Sequence, residues 1–190
     1  MDLSLLVVGL GNPGKVYDRT RHNVGFYLVD TYVSHQGGTW IQEPRHSGWL
    51  SVIYTPHAEV LCLKPTTFMN YSGTAVRSVC DYYRINLQNV LVVCDDISIT
   101  LGSFKVSIKP GSAGHNGIKH ILECCGSGFA RYRVGVGGKP QGMRLDDYVL
   151  AKFSPEEQAK LPEVAAAFEK NLEVFIDKGI LKGLNFIERL

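Results

Sequence analysis

Thr20-Arg21-His22-Asn23 sets an imidazole beside a carboxamide where a glycine-rich turn, Gly9-Leu10-Gly11-Asn12-Pro13-Gly14, gives way to an amphipathic segment. A histidine at a strand-to-helix junction is well placed for acid–base chemistry near neutral pH. Three more loops that follow apolar runs carry related side chains: Asn70 after Pro65-Thr66-Thr67-Phe68-Met69, Asp95 and Asp96 after Val92-Val93-Cys94, and His115-Asn116 after Gly111-Ser112-Ala113-Gly114. An aspartate at the end of a buried strand can accept the Nδ1–H of an imidazole, fix its tautomer and make the other nitrogen a better base. Asp95 with His22 fits that pattern, Asp96 competes for the same role, and His115 is an alternative base. Asparagines both donate and accept, so Asn12, Asn70 and Asn116 suit a substrate offering peptide N–H and C=O groups or a developing oxyanion. No serine stands in a G-x-S-x-G elbow and no cysteine has the loop setting of a nucleophile, which favours water as the nucleophile. Asn23, at the start of the amphipathic segment, reads as a helix cap.

These residues need a scaffold of strand ends. Strand-like runs occupy 5–9, 50–54, 60–64, 90–94, 104–108 and 133–137, with a hairpin expected around Thr55-Pro56-His57-Ala58. Helical periodicity fills 23–35, 71–83 and 117–125, and Ser154-Pro155-Glu156-Glu157 is a helix start with a capping hydroxyl, an N-terminal proline and first-turn acids. Pro162 should interrupt or kink the C-terminal helix, with Gly179 and Gly183 dividing off its last turns. The alternation implies an α/β fold: a single domain over residues 1–190, built on a twisted mixed sheet with helices on both faces. In open α/β sheets ligands bind outside the carboxyl ends of the strands, where the polar loops fall.

Gly9 to Gly14 matches the dinucleotide fingerprint G-x-G-x-x-G, and Asp30 stands near the spacing of a ribose-binding acid. However, Pro13-Gly14 reads as a turn and the helical pattern begins only near Asn23, too far from the glycines for the helix start to meet a pyrophosphate. A nucleotide-dependent oxidoreductase is therefore the weaker reading. No apolar run approaches the roughly 18 residues of a spanning helix, so no membrane association is expected. Met1-Asp2-Leu3-Ser4 lacks the charged start of a secretory leader, and a cytoplasmic location is the expectation. Cys62, Cys80, Cys94, Cys124 and Cys125 show no metal or redox spacing and read as reduced thiols.

The net charge of +2 is unevenly spread: residues 101–145 hold 7 Lys/Arg against 1 Asp/Glu, whereas 1–100 hold 7 against 8 and 146–190 hold 6 against 9. The middle stretch, with Lys105, Lys109, Lys119, Arg131, Arg133, Lys139 and Arg144, is a basic patch suited to phosphate contacts.

Together these motifs resemble the bacterial-type peptidyl-tRNA hydrolases over almost the whole chain. Tyr17-x-x-Thr20-Arg21-His22-Asn23-x-Gly25 is similar to one family signature and His115-Asn116-Gly117-Ile118-Lys119 to the other. The Asn12 loop, Lys64 to Gly73 and Asp95 fall in family order, and Asp146 to Leu150 with Phe153 resembles the lid. The resemblance implies a monomeric, metal- and cofactor-independent cytoplasmic esterase. It would split the ester between a peptide, or an N-blocked aminoacyl group, and the terminal ribose of tRNA, recycling tRNA from prematurely released peptidyl-tRNA. By the same resemblance His22 is the general base, Asp95 orients it, and Asn12 holds the water or scissile carbonyl. Tyr17, Phe68, Met69, Asn70 and Asn116 bind the peptide and the tRNA 3′ end. Arg133 is half of a clamp on the tRNA 5′-phosphate. Ser107 stands where the clamp lysine is expected, leaving Lys105 and Lys109 on either side as candidates. A non-catalytic RNA-binding protein on the same scaffold is the alternative, but it has no need of His22, Asp95 and Asn12 together.

Overall fold

The computed structural model describes residues 4–187, so Met1 to Leu3 lie outside the described residues. Strands β1 (Ser4–Gly9), β2 (Ile41–Glu43), β3 (Gly48–Tyr54), β4 (Glu59–Pro65), β5 (Val90–Asp96), β6 (Phe104–Ser107) and β7 (Ala130–Gly135) form one sheet in the order β2-β3-β4-β1-β5-β7-β6. The central strands β4, β1, β5 and β7 run parallel, while β2, β3 and β6 are antiparallel to their neighbours. The helices are α1 (Val24–His35), α2 (Ser72–Tyr83), α3 (Asn116–Cys125), α4 (Leu145–Val149), α5 (Pro155–Gln158), α6 (Leu161–Lys178) and α7 (Ile180–Gly183).

Both faces of the sheet centre are covered, which is why β1 and β5 read as continuous apolar runs and not as alternating ones. Leu5 and Val7 point into a core with Leu28 and Val29 of α1 and Phe168, Leu172 and Phe175 of α6. Leu6 and Val8 point the other way, to Val76 and Val79 of α2 and Ile118 and Ile121 of α3. The fold is thus a single α/β domain with a mixed sheet and helices on both faces, and Thr55 and Ala58 close the anticipated β3–β4 hairpin. The five cysteines are free, with Cys62, Cys80 and Cys94 buried.

Four details differ from the sequence pattern. Strand β2 was not anticipated, because Ile41-Gln42-Glu43 is a short, largely exposed edge strand with no apolar periodicity. Strand β7 begins at Ala130, three residues earlier than expected, since the charge of Arg131 interrupts what is a buried run. Strand β6 ends at Ser107, one residue short of the anticipated end at Ile108. Pro162 does not interrupt a helix: it lies in the first turn of α6, where its missing N–H costs nothing. The preceding α5 is a separate turn closed by a Ser154–Glu157 capping box.

The glycines of the fingerprint-like turn serve packing. A Cβ on Gly9 would lie 2.6 Å from the Gly25 carbonyl oxygen, and one on Gly11 would strike the Phe26 ring. Helix α1 therefore occupies the space that a pyrophosphate would need, and Asp30 is paired with Lys64. The reciprocal contact is equally tight: a Cβ on Gly25 would stand 2.4 Å from the Val93 oxygen and 2.6 Å from the Leu10 nitrogen, both backbone atoms. Gly25→Ala is expected to destabilise the protein by about 2–3 kcal/mol, read as a melting temperature lower by roughly 5–10 °C in far-UV circular dichroism. An unchanged melting temperature would contradict this close approach.

Candidate active site

His22 sits on a single 3-10 turn, Arg21–Asn23, directly ahead of α1. That turn is held from two sides. Leu10 N–H donates to the Val93 oxygen at 3.0 Å, tying the loop after β1 to β5, and Arg21 N–H donates to the Ala151 oxygen at 3.1 Å. Thr20 bridges to Lys152. The Arg21 guanidinium is itself buried, donating to the carbonyls of Tyr148, Ala151 and Lys152 and pairing with Glu157 at 2.8 Å. It also lies 4.3 Å from the centroid of the Tyr148 ring. The segment after α4 is thereby fixed to the turn that presents His22.

Asp95, near the carboxyl end of β5, is only 5% exposed. Its Oδ1 accepts from His22 Nδ1 at 2.8 Å and from His115 Nε2 at 3.0 Å. His115 caps α3: its Nδ1 accepts the Ile118 N–H at 3.3 Å, so its proton is on Nε2 and points at Asp95. His22, donating through Nδ1, keeps a lone pair on Nε2. Burial alone would push the Asp95 carboxyl up, but the charge of the imidazoles when protonated and their N–H donors reverse this and hold it well below the ordinary carboxylate range. Asp95 thus stays ionised throughout the neutral range. Asp96 is not the partner of His22; its Oδ1 accepts from the Ser98 N–H and hydroxyl, and its Oδ2 pairs with Arg133 at 3.1 Å.

Asn12 is fixed at three points. Asn23 accepts its N–H at 2.8 Å and donates to its oxygen at 2.9 Å, while the Asn12 Oδ1 accepts the Met69 N–H at 2.7 Å. With Oδ1 committed, Nδ2 is the end of the amide left for a ligand. The expectation that Asn23 caps α1 is corrected, since its side chain makes no capping bond and both ends of its amide are spent on Asn12. Met69 is 2% exposed, with its sulfur against Gly117. Phe68 is exposed and meets Tyr17 edge-on, ring centroids 6.3 Å apart, as an aromatic rim. Asn70 and Asn116 line one polar hollow with Lys119, His120 and Glu123.

A cleft runs from Asp95 and His115 past Arg133 to Leu145, Asp146 and Val149, so the 146–150 segment borders the site. Lys105 and Arg133 are directly opposed in the antiparallel β6–β7 pair, and Ser107 is opposed to Arg131. Lys105, Lys109 and Arg133 line one further hollow. Arg131 leaves the basic patch: it is 5% exposed and donates to the carbonyls of Lys109 and Gly111, bracing the loop that carries His115. The bracing roles of Arg21, Asn23 and Arg131 were not read from sequence. The only cue was that each falls inside a segment already marked by its neighbours.

His22, Asp95 and His115 are also the one group among the described residues with metal-ligating atoms within 4.8 Å of one another. Their N···O separations of 2.8 and 3.0 Å are those of shared protons; a tetrahedral ion would need ligand atoms roughly 3.3 Å apart and both protons removed.

Fold and site define a single-domain α/β enzyme whose centre is a buried histidine–carboxylate pair. Residues 6–189 match the family described as Peptidyl-tRNA hydrolase. A peptidyl-tRNA hydrolase from Gloeobacter violaceus is 41% identical over 95% of this chain and 91% of its own length. One from Clostridium botulinum is 41% identical over 95% and 93%. The crystal structure of peptidyl-tRNA hydrolase from Acinetobacter baumannii superposes with a TM-score of 0.90 at 30% identity, covering 96% of this chain and 93% of that one. The chain belongs to the peptidyl-tRNA hydrolase family.

Because Asn23 spends its whole amide on Asn12, Asn23→Ala should cut the release of peptide from tRNA by about tenfold or more, the loss of two buried hydrogen bonds on one positioned group. Steady-state hydrolysis alongside a melting curve checks this; full turnover in a well-folded variant would remove Asn23 from the site.

Proposed function

We propose that His22 is the general base for hydrolysis of the ester joining a peptide to the terminal ribose of tRNA. The observation that carries the reading is the 2.8 Å bond from His22 Nδ1 to the buried Asp95 carboxylate, which makes Nε2 the basic nitrogen. Water, deprotonated by Nε2, attacks the ester carbonyl. The Asn12 Nδ2–H donates to the carbonyl oxygen as it gains charge, and Asp95 stabilises the imidazolium. Collapse of the tetrahedral species breaks the bond to the ribose oxygen, which takes the proton back from His22. Asn70 and Asn116 meet the peptide main chain across their shared hollow, with Met69 next to Asn70 in the chain, and Tyr17 with Phe68 forms the edge on the tRNA 3′ end. The 5′-phosphate is received by Arg133 with Lys105, its cross-strand partner; Lys109, in the same hollow, is the second candidate.

We read the enzyme as a monomer, as the family resemblance implies. No helix among the described residues is long and apolar enough to cross a membrane. We place the enzyme in the cytoplasm, where peptidyl-tRNA arises.

His22→Ala should lower single-turnover hydrolysis by about 10³-fold, and Asp95→Asn by about 10²–10⁴-fold, with tRNA binding retained. Tight tRNA binding with no cleavage by the wild-type protein would instead support the RNA-binding alternative. Turnover should fall about tenfold per pH unit on the acid side as one proton silences Nε2. Asp95 sets a second pH dependence. Its depressed titration stabilises the fold above the ordinary carboxylate range of about 4, and that stability drains as pH falls further. For the clamp, removing the 5′-phosphate should slow the wild type about tenfold and leave Arg133→Ala and Lys105→Ala nearly unaffected. Equal phosphate sensitivity in wild type, Lys105→Ala, Lys109→Ala and Arg133→Ala would dismiss the assignment.

A further inference from the structure

The carboxylate that serves His22 is not its alone. Oδ1 of Asp95 accepts two imidazole protons, at 2.8 Å from His22 and 3.0 Å from His115, and the ring centroids of the two histidines are 5.0 Å apart. His115 is locked in one tautomer by the N-terminus of α3, because its Nδ1 is occupied by the Ile118 N–H. Protonating His115 would break that cap and set a cation at the positive end of a ten-residue helix, so of the two rings His22 is the one that takes up a proton during turnover. The reaction scheme above has no task for His115.

We propose that His115 is a positioning residue that limits the basicity of His22 by competing for the same carboxylate oxygen. A neutral N–H directed at Oδ1 draws off part of the charge that would otherwise stabilise the His22 imidazolium, and its positive end also faces that cation. The effect is to keep His22 neutral, and therefore able to deprotonate water, further into the acid range. The other charged groups of the site do not substitute for it. Asp96 is spent on Arg133, Arg131 on the loop carbonyls and Arg21 on Glu157, while Asp146 is an exposed residue of α4 across the cleft.

Two substitutions separate this task from the capping task. Asparagine at 115 offers an acceptor to the Ile118 N–H but is too short to reach Asp95; glutamine places an N–H where Nε2 stands and gives up the cap. The proposal rests on His22 being the base. The experiment is the pH dependence of kcat/KM with an N-acetylated aminoacyl-tRNA for wild type, His115→Asn and His115→Gln, together with NMR titration of the His22 ring in each. In His115→Asn the acid limb and the His22 midpoint should both move up by about one pH unit, the worth of one hydrogen bond to a charged group, while His115→Gln keeps the wild-type values. Unchanged midpoints in His115→Asn, or an equal shift in both variants, would overturn the proposal. The NMR midpoint decides even if His115→Asn turns over too slowly to profile. A midpoint that moves without the acid limb following it upholds the coupling and defeats the assignment of His22 as base instead.

Discussion

An ionised carboxylate buried at the end of a central strand is the constraint around which this molecule is arranged. Taking such a charge out of water costs several kcal/mol unless donors meet it with good geometry. Asp95 has two, and they arrive from opposite directions in the chain: His22 from the loop after β1, His115 from the loop before α3. Both loops must therefore be fixed against β5 to within a fraction of an ångström. The parallel pairing of β1 with β5 supplies one side, extended past the strand end by the Leu10–Val93 bond. The bracing of the Lys109 and Gly111 carbonyls by Arg131 supplies the other. The close glycine contact at Gly25 has the same purpose, since any atom there would lift α1, and His22 with it, off the Val93 backbone.

A second chain of contacts carries the position of Asn12 into the peptide side of the site. Asn23 grips the Asn12 backbone, Asn12 Oδ1 holds the Met69 N–H, and the Ser72 hydroxyl donates to the Met69 oxygen at 2.7 Å. Met69 in turn packs against Gly117, where a side chain would collide with its sulfur. Asn12, Asn23, Met69 and Ser72 are thus members of one packed network rather than neighbours on independent loops. Such rigidity suits the mechanism proposed above, in which one water must be placed with precision.

Much of this was legible in the sequence, and the boundary is physical. The central strands announced themselves because both their faces are buried, and the polar residues just beyond them marked the site. His22, Asp95, Asn12, Asn70 and Asn116 could be picked out as candidates because strand ends and side-chain chemistry are local properties. Whether Asp95 or Asp96 meets His22 was not local. Adjacent residues on a strand point to opposite faces, and only the sheet geometry sends Asp96 to Arg133. Asn23 misled for the same reason. Its position before a helix fits a cap, but a partner eleven residues away at Asn12 makes a stronger claim on its amide than the helix start does. The edge strand β2 left no trace, because its pairing with β3 owes little to its own side chains.

The arginines show how equal charges acquire unequal chemistry. Arg21, Arg131 and Arg133 all stand close to the site, yet two of them are almost wholly enclosed and spend their donors on backbone oxygens. A guanidinium so placed cannot be recruited by a substrate phosphate without unmaking the loops it secures. Arg133 differs because its partner is a side chain and its own side chain is 24% exposed. That exposure leaves the guanidinium accessible to a further anion, which the proposed 5′-phosphate clamp requires. The Asp96 carboxylate holds the guanidinium on the strand pair that carries Lys105. A basic stretch that looks uniform in the sequence thus divides into an enclosed brace at Arg131, an opposed cross-strand pair at Lys105 and Arg133, and the exposed outlying cations Lys119, Lys139 and Arg144.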